Sequence, residues 1–231
     1  APFRLNERGL ANRPQRRDDG GDGLFMAEGD LVVERALEAG CVPVVALVDA
    51  KHPAAIVARL AESVPIYSGG DRLRAEITKL GMPYSVVALF QRPARATVAE
   101  LVAHARRLVI VEAVDNPVNI GSICRNALAL GWDGLLLDNT SADPLARRAL
   151  RVSMGHSLHL PHARTGDVAA AVATLTATGV VVCALTPAAD ALALDEVPIA
   201  DRMAVVVGSE RGGLMQGTMD ASTYRVAIPM Q

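Results

Sequence analysis

Residues 205–214 read Val205-Val206-Val207-Gly208-Ser209-Glu210-Arg211-Gly212-Gly213-Leu214. The run of valines predicts a buried strand, and the glycines predict a tight turn in which the main chain stays accessible. A second turn, Ile228-Pro229-Met230, follows the next predicted strand. Two such turns side by side predict the walls of a pocket for an adenine-bearing ligand, held mostly by backbone groups. The competing interpretation makes Glu210 an ordinary solvated turn residue.

The chain around this stretch alternates predicted strands and helices. Strands are predicted at 108–112, 134–138, 180–185, 203–208 and 225–228. Helices are predicted between them at 119–130, 144–153 and 167–177. Strands separated by helices of this length form βαβ units, so the pattern predicts an α/β fold with a parallel sheet.

Residues 24–95 form a smaller α/β unit in this prediction. Its helices are predicted at 28–39, 53–62 and 71–79, and its strands at 42–48, 64–67 and 84–90. A linker at 91–95 and a helix at 97–107 lead into the larger unit. Residues 1–23 are rich in Gly, Asp and Arg, which is typical of a flexible arm. We therefore expect an arm at 1–23, one domain at 24–95 and a second at 96–231.

Composition limits the classes of protein to which the chain can belong. Of its 231 residues 51% are hydrophobic and 3% aromatic, so aliphatic side chains must fill one or two cores. No apolar run reaches the roughly 20 residues of a membrane span. We expect a cytoplasmic protein without membrane association. Cys41, Cys124 and Cys183 lack CxxC spacing, which argues against a disulfide framework or a zinc site.

The formal net charge of −2 is unlike that of many nucleic-acid-binding proteins, which are often basic. The positive charge is nonetheless clustered and mostly arginine, which binds phosphate through a bidentate fork. The clusters are Arg4, Arg8, Arg13, Arg16 and Arg17, and then Arg147, Arg148 and Arg151. These clusters suit phosphate contact, and the alternative is a solvated arginine face.

A polar turn reads Asn116-Pro117-Val118-Asn119-Ile120-Gly121-Ser122-Ile123-Cys124-Arg125-Asn126. It follows a predicted strand and opens a helix, which Asn116 or Asn119 can cap. Gly121 allows another backbone to approach closely, and Arg125 falls in the second helical turn. Ligands bind at such turns in open α/β folds, and the free N–H groups suit an anion. The alternative is an ordinary capped helix with a surface arginine, since neither GxGxxG nor a P-loop is present.

A third pattern, Ser153-Met154-Gly155-His156 with Pro161 further on, ends an arginine-bearing helix. Gly155 is placed as a C-terminal cap. His156 is a candidate acid or base, but a helix-end cation is the favoured interpretation. His159 and His162 are expected in a loop or at a strand end, without the HExxH spacing of a metal site.

In this order and at these separations, the three patterns resemble the signature motifs of SpoU/TrmH-type methyltransferases of the SPOUT superfamily. The matching elements are N-x-x-N-x-G-x-x-x-R, S-M-G-H…P and V-G-S-E-x-x-G-L…I-P-M, and the resemblance covers residues 108–231. Residues 24–92, with Phe25-Met26-Ala27-Glu28-Gly29, resemble more loosely the ribosomal-protein-like RNA-binding domain that often precedes it.

The resemblance implies a deep trefoil knot in the larger domain and a homodimer whose active site forms where two subunits meet. It also implies that S-adenosyl-L-methionine is held by main-chain groups of three loops. By position, these loops contain Leu185 and Thr186, then Gly208, Glu210 and Gly212, and finally Ile228 and Met230. Family members continue after Ile228-Pro229-Met230 with a segment that starts a last helix. The sequence stops at Gln231, and we expect a further tail that is disordered, together with an empty cofactor site.

The reaction implied is methyl transfer to a ribose 2′-hydroxyl of structured RNA, with Arg125 in its deprotonation or in clamping a phosphate. Asn119 and Glu210 would orient Arg125 and the ribose, and His156 is a rival base. Arg147, Arg148 and Arg151 are expected to bind the RNA. Ribosomal RNA is favoured because an RNA-binding domain precedes the catalytic one. The alternatives are a transfer-RNA 2′-O-methyltransferase, a non-catalytic RNA-binding relative, and a generic nucleotide-binding enzyme, for which no phosphate loop is found.

Overall fold

The computed structural model describes Phe3 and residues 23–62, 64–79 and 83–229. The strands in these ranges are β1 (Leu24–Glu28), β2 (Pro43–Asp49), β3 (Ile66–Gly69), β4 (Val86–Gln91), β5 (Arg107–Val111), β6 (Gly134–Asp138), β7 (His162–Thr165), β8 (Val181–Leu185), β9 (Leu192–Ala193), β10 (Met203–Val207) and β11 (Tyr224–Ala227). The α-helices are α1 (Asp30–Glu38), α2 (Val57–Ala61), α3 (Asp71–Thr78), α4 (Val98–His104), α5 (Pro117–Ala129), α6 (Arg147–Val152), α7 (Val168–Ala177) and α8 (Gln216–Ala221). Short 3₁₀ helices lie at His156–Leu158 and Leu194–Glu196. Several residues of the predicted sites lie outside the described ranges, namely Arg4, Arg8, Arg13, Arg16, Arg17 and Met230.

The smaller sheet has the strand order β1-β4-β2-β3. Strand β4 is antiparallel to β1 and β2, whereas β3 is parallel to β2. Side chains alternate between its two faces, and both faces are covered. Phe25 and Phe90 stack on one face with ring centroids 5.4 Å apart. On the other face Met26 and Leu89 pack with Phe3, which is buried although it falls within the predicted arm.

The larger sheet has the strand order β7-β6-β5-β10-β8-β11-β9, and each neighbouring pair is parallel. Separate clusters of buried side chains cover its two faces, as expected of a parallel sheet with helices on both sides. The predicted α/β class is therefore confirmed. Strand β10 lies between β5 and β8, so the carboxyl ends of these three strands meet at one edge of the sheet.

Glu28 is the last residue of β1, so the predicted helix start at this position is wrong. Gly29, with φ 87°, ends the strand and donates its backbone N–H to the Val86 carbonyl at 2.9 Å. The helix that follows begins at Asp30. A five-residue strand buried on both faces lacks the alternation of apolar and polar residues that identifies strands in a sequence.

Other predicted bounds move by a few residues, as helix ends often do. The helix expected at 97–107 is Val98–His104, because Thr97 and Glu100 form a capping box at its start and Arg107 begins β5. The helix expected at 144–153 begins only at Arg147. Strand β1 was not predicted because it lacks the alternation of apolar and polar residues, and β7, β9 and helix α8 were missed as well.

The smaller sheet packs against the larger unit through paired charges, and we call this region the junction. The side chain of Glu28 is 1% exposed and accepts a hydrogen bond from Arg147 Nε at 2.7 Å. Arg151 Nη1 lies 3.5 Å from the other carboxylate oxygen of Glu28. In the predicted linker, Arg92 is buried and its Nη2 lies 2.6 Å from Asp143 Oδ2. The linker is therefore part of a packed contact.

Apolar side chains continue across the junction. Leu145 and Leu150, from the larger unit, belong to the core cluster that contains Phe25 and Phe90 of the smaller sheet. Burial of shared apolar surface stabilises the contact in addition to the ion pairs.

The three cysteines are buried free thiols. In the described part of the chain, no three His, Cys, Asp or Glu side chains are grouped as a metal-binding set. None of the helices there combines the length and the apolar character that a bilayer crossing requires.

Candidate functional site

A cleft of about 440 Å³ opens where β5 and β10 end. These strands are parallel neighbours, with Val111 beside Val207, so the loops that follow them face each other. The cleft is lined by Ala113, Val114, Asp115, Asn116, Asn119, Ser209, Glu210 and Arg211. Two of the three sequence motifs therefore meet in one place, the first from the β5 side and the third from the β10 side.

One contact joins the two walls of the cleft: Asn119 Nδ2 donates a hydrogen bond to Glu210 Oε1. The two candidate caps of α5 have separate roles. The Asn116 side chain accepts from the Val118 N–H at 3.0 Å and caps the helix, which leaves Asn119 available to Glu210. Glu210 is exposed, but it has a polar partner across the cleft, which the interpretation as an ordinary turn residue does not explain.

The glycine-rich loop folds back on itself. Gly213 donates its N–H to the Ser209 carbonyl at 3.0 Å, and Gly212 donates to the Ser209 hydroxyl at 3.1 Å. A Cβ added at Gly208 would lie 2.3 Å from the backbone carbon of Gly213, a distance that no side chain tolerates. The glycine at this position therefore permits the fold of the loop that presents Glu210.

The opposite wall is held by a side chain that the sequence did not single out. Asp138, at the end of β6, accepts hydrogen bonds from the backbone N–H of Ala113 at 3.1 Å and of Ser141 at 2.9 Å. Burial raises the pKa of Asp138, but hydrogen bonds from Ser141, Thr140 and Ala113 lower it by more, and the net shift is downward. Ala113 has a left-handed backbone, with φ 57°, which is unusual for a residue with a side chain.

Glu112 was predicted only as the end of a strand, and its role in holding the cleft was not recognised. It is buried, and its carboxylate accepts from the Met215 N–H at 2.7 Å and from the Thr218 hydroxyl at 2.6 Å. Its own N–H donates to the Val207 carbonyl at 3.0 Å. Val207 and Met215 flank the glycine-rich loop, so Glu112 holds both ends of this loop. Long-range contacts of this kind leave no local signal in a sequence.

The three turns expected to contact a cofactor lie at the same edge of the sheet. Leu185 ends β8 beside Val226 of β11, and Thr186 donates its N–H to the Val226 carbonyl at 2.9 Å. Ile228 follows β11 and is 53% exposed. Gly208 and Gly212 follow β10, which lies on the other side of β8. Three backbone turns with exposed apolar and main-chain groups fit an adenine-bearing ligand held without charged side chains.

The second motif forms the end of α6. Met154, with φ 53°, and Gly155, with φ 86°, are both left-handed. Met154 donates its N–H to the Arg151 carbonyl at 3.0 Å and Gly155 donates to the Leu150 carbonyl at 2.8 Å, which is the Schellman pattern. The predicted cap at Gly155 is thus shared with Met154.

His156, for which a helix-end cation was the favoured interpretation, begins the 3₁₀ helix that follows. Burial lowers its pKa, and Arg35, His159 and Arg125 lower it further, which disfavours the cationic form. Arg125 itself is exposed on α5 and is not among the residues that line the cleft.

The basic side chains predicted to bind RNA have different environments. Arg147 and Arg151 pair with Glu28 in the junction, whereas Arg148 between them is exposed.

His162 lies at the start of β7, where burial lowers its pKa to about 4. The Asp143 carboxylate raises that pKa, whereas Arg95 and Arg164 lower it.

Comparisons with known proteins agree with this geometry. The sequence model of the SpoU rRNA Methylase family matches residues 106–231. An uncharacterized tRNA/rRNA methyltransferase of Mycobacterium tuberculosis (strain ATCC 25618 / H37Rv) is 36% identical over 98% of this chain and 81% of the relative. The 23S rRNA (guanosine(2553)-2′-O)-methyltransferase of Bacillus subtilis (strain 168) is 27% identical over 89% of this chain and 79% of that protein.

Among solved structures, the SpoU methyltransferase AviRb from Streptomyces viridochromogenes, in complex with the cofactor AdoMet, superposes with a TM-score of 0.76 and 27% identity. The superposition covers 96% of this chain and 86% of AviRb. The family model spans more than half of the chain, and the mycobacterial relative matches almost all of it. The chain therefore belongs to the SpoU rRNA methylase family of RNA methyltransferases.

Proposed function

We propose that this protein transfers a methyl group from S-adenosyl-L-methionine to a ribose 2′-hydroxyl of structured RNA, with ribosomal RNA as the favoured substrate. The observation that carries the proposal is the hydrogen bond from Asn119 to Glu210. This hydrogen bond joins the first and third motifs across one cleft, which lies beside the three backbone turns at the edge of the sheet. The Bacillus relative is a 2′-O-methyltransferase of 23S rRNA, which supports the acceptor, and AviRb binds AdoMet, which supports the methyl donor.

The cofactor would be held by main-chain groups of the turns after β8, β10 and β11. Leu185, Thr186, Gly208, Gly212 and Ile228 are the residues of these turns that we assign to it. The bound cofactor supplies an electrophilic methyl group, so the protein has to orient the acceptor and assist loss of its proton. The glycine-rich loop suits main-chain contacts with the cofactor because its backbone is accessible.

Arg125, Asn119 and Glu210 are the residues that we assign to the acceptor. Arginine stays protonated in proteins, so Arg125 serves to clamp a phosphate and to stabilise negative charge that develops on the attacking oxygen. Asn119 and Glu210 orient the ribose and Arg125. His156 is the alternative proton acceptor, since its lowered pKa favours the neutral imidazole.

We further propose that the smaller unit binds RNA at its side next to the junction, where exposed Arg148 of the larger unit extends the surface, and that two copies of the chain form a dimer. Met215, a large apolar side chain that follows the glycine-rich loop, is 68% exposed and is a candidate for the dimer contact. We also propose that the larger unit contains a knot and that the protein acts in the cytoplasm. The name of the mycobacterial relative includes both transfer and ribosomal RNA, so both classes belong in the test.

The test is transfer of tritiated methyl groups from the cofactor to purified ribosomal-RNA and transfer-RNA pools. A 2′-O-methyl group protects the adjacent phosphodiester from alkaline cleavage, so alkali-resistant labelled dinucleotides identify the ribose as acceptor. We expect Arg125→Ala to reduce transfer about 100-fold, which corresponds to about 2.7 kcal/mol of transition-state stabilisation. The matched control is Arg59→Ala, which removes an exposed arginine of α2 outside the cleft.

If Arg125→Ala transfers methyl groups at the wild-type rate, Arg125 has no role in the mechanism. Label recovered on bases instead of ribose would refute the 2′-hydroxyl as acceptor. Calorimetry of the protein with S-adenosyl-L-methionine provides a separate readout. Absence of binding would favour a non-catalytic RNA-binding relative.

A further inference from the structure

The turn at residues 154–158 is held between helices of the two units. From the smaller unit, Arg35 on α1 donates a hydrogen bond from Nη1 to the Met154 carbonyl. The Arg35 side chain lies so close to the turn that a Cβ added at Gly155 would be 3.1 Å from its Cδ. The left-handed backbone of Met154 and Gly155 fixes the direction of this carbonyl.

From the larger unit, α5 contacts the same turn. The 3₁₀ helix at His156–Leu158 packs against α5, and the Ser157 hydroxyl within it donates to Ser153 Oγ at 2.9 Å. Helix α1 also contacts this 3₁₀ helix. Arg35 on α1 and Arg125 on α5 therefore belong to elements that pack against His156–Leu158 from two different units.

The charged groups that act on this turn are basic. Beyond burial, the pKa of His156 is lowered by Arg35, by His159 and by Arg125. Arg125 and His159 are exposed, and Arg35 and His156 are half-buried. Two arginines on elements that meet at one partly exposed turn attract an anion.

We propose that Arg35, Arg125 and His156 together bind one backbone phosphate of the substrate RNA, so that the site for the phosphate is shared between the two units. Arg35 uses one N–H in its bond to Met154, and a guanidinium has five. Paired N–H groups of arginine match the oxygens of a phosphodiester. The proposal rests on the proposed function for the identity of the RNA, and it adds Arg35 to the residues that contact it.

The competing explanation is that Arg35 only braces the turn. A purely structural Arg35 would affect the free energy of unfolding but not the number of counterions released when RNA binds. Each phosphate contact contributes about 0.7–0.9 to the slope of log K against log salt concentration. The salt dependence of RNA binding therefore separates the two roles.

The experiment measures fluorescence anisotropy of a fluorescein-labelled RNA hairpin with the full chain over a series of salt concentrations. The variants are Arg35→Gln, Arg35→Lys and the control Arg59→Gln, which removes an exposed arginine of the same unit. We expect Arg35→Gln to weaken binding about tenfold and to reduce the slope by about 1. Arg35→Lys keeps the slope because it keeps the charge, and Arg59→Gln changes neither quantity.

Urea unfolding of each variant shows whether the fold is retained. Wild-type affinity and slope in Arg35→Gln would overturn the shared phosphate site, as would an equal loss in Arg59→Gln or no RNA binding by the wild type. Arg35-dependent RNA binding without methyl transfer by the wild type would refute the proposed function and leave the phosphate site standing. Methyl transfer that is indifferent to Arg35→Gln, with unchanged binding, would refute only the phosphate site.

Discussion

The cleft and the junction both contain a carboxylate with a long-range polar partner, but they differ in burial. Glu210 is exposed and accepts one hydrogen bond from Asn119. The Glu28 side chain is 1% exposed and faces two arginines, Arg147 and Arg151. A charge removed from water must be paired, and removing one partner is costly. The junction charges thus support the fold, whereas the cleft charges remain accessible to a ligand.

The largest effect on stability is expected at the junction. Glu28→Ala leaves Arg147 and Arg151 without their shared carboxylate, and we expect the free energy of unfolding to fall by about 3–5 kcal/mol. Urea denaturation measures this change. Glu38→Ala, which removes an exposed carboxylate of the neighbouring α1, should change stability by less than about 0.5 kcal/mol. Equal effects of the two substitutions would contradict the structural role of Glu28.

The cleft should show the reverse pattern. We expect Glu210→Ala to reduce methyl transfer about 100-fold, or about 2.7 kcal/mol, while the free energy of unfolding stays within about 0.5 kcal/mol of the wild type. Glu210→Gln keeps an oxygen that can accept from Asn119 and should retain part of the activity. A Glu210→Ala variant that unfolds easily would show that the cleft charge is also structural.

A smaller effect is expected where α5 crosses α6 behind the cleft. A Cβ at Gly121 would lie 2.5 Å from the Ala149 carbonyl oxygen, so Gly121→Ala should destabilise the protein by about 1–3 kcal/mol. This clash outweighs the gain of up to about 1 kcal/mol from better helix propensity. Gly217→Ala in α8 is the matched control, since its new Cβ would meet only the Ala169 Cβ at 3.7 Å. Differential scanning calorimetry that ranks Gly121→Ala as the more stable variant would refute the close crossing.

The smallest effect concerns pH. Unfolded histidine titrates near 6.5, whereas the pKa of folded His162 is about 4. Between these values the unfolded state binds more protons, so stability decreases as the pH falls. We expect a loss of under about 1 kcal/mol between pH 7 and pH 6, measured by urea unfolding. The loss should disappear in His162→Gln, and an identical pH dependence in both proteins would contradict the shift.

Local patterns in the sequence predicted the parallel sheet and, separately, the turns that contain Asn119 and Glu210. Only the resemblance to a known family assigned these two turns to one site. Glycine turns and helix caps act over a few residues, so Gly208, Asn116 and Asn119 could be recognised individually. Glu112 and Asp138 hold the cleft through contacts with distant loops, and no short pattern predicts such contacts. Topology brings them together only once β5, β6 and β10 are neighbours.

The junction was harder to predict for the same reason. Glu28 and its partner Arg147 are 119 positions apart in the chain. A row of arginines at 147–151 has the composition of a phosphate-binding surface, and composition alone does not show that two of them pair with a buried acid. Glu28 was predicted to start a helix, but it ends strand β1. The burial of β1 on both faces explains this difference.

The placement of β10 between β5 and β8 has a consequence for how the protein is made. Asn119 and Glu210 are 91 positions apart in the chain, so the ribosome has completed most of the polypeptide before both walls of the cleft exist. Until then β5 and β8 each present an unpaired edge, and sheets with such distant pairings fold slowly. A ligand of the cleft can therefore stabilise the finished protein but cannot guide the folding of its first half.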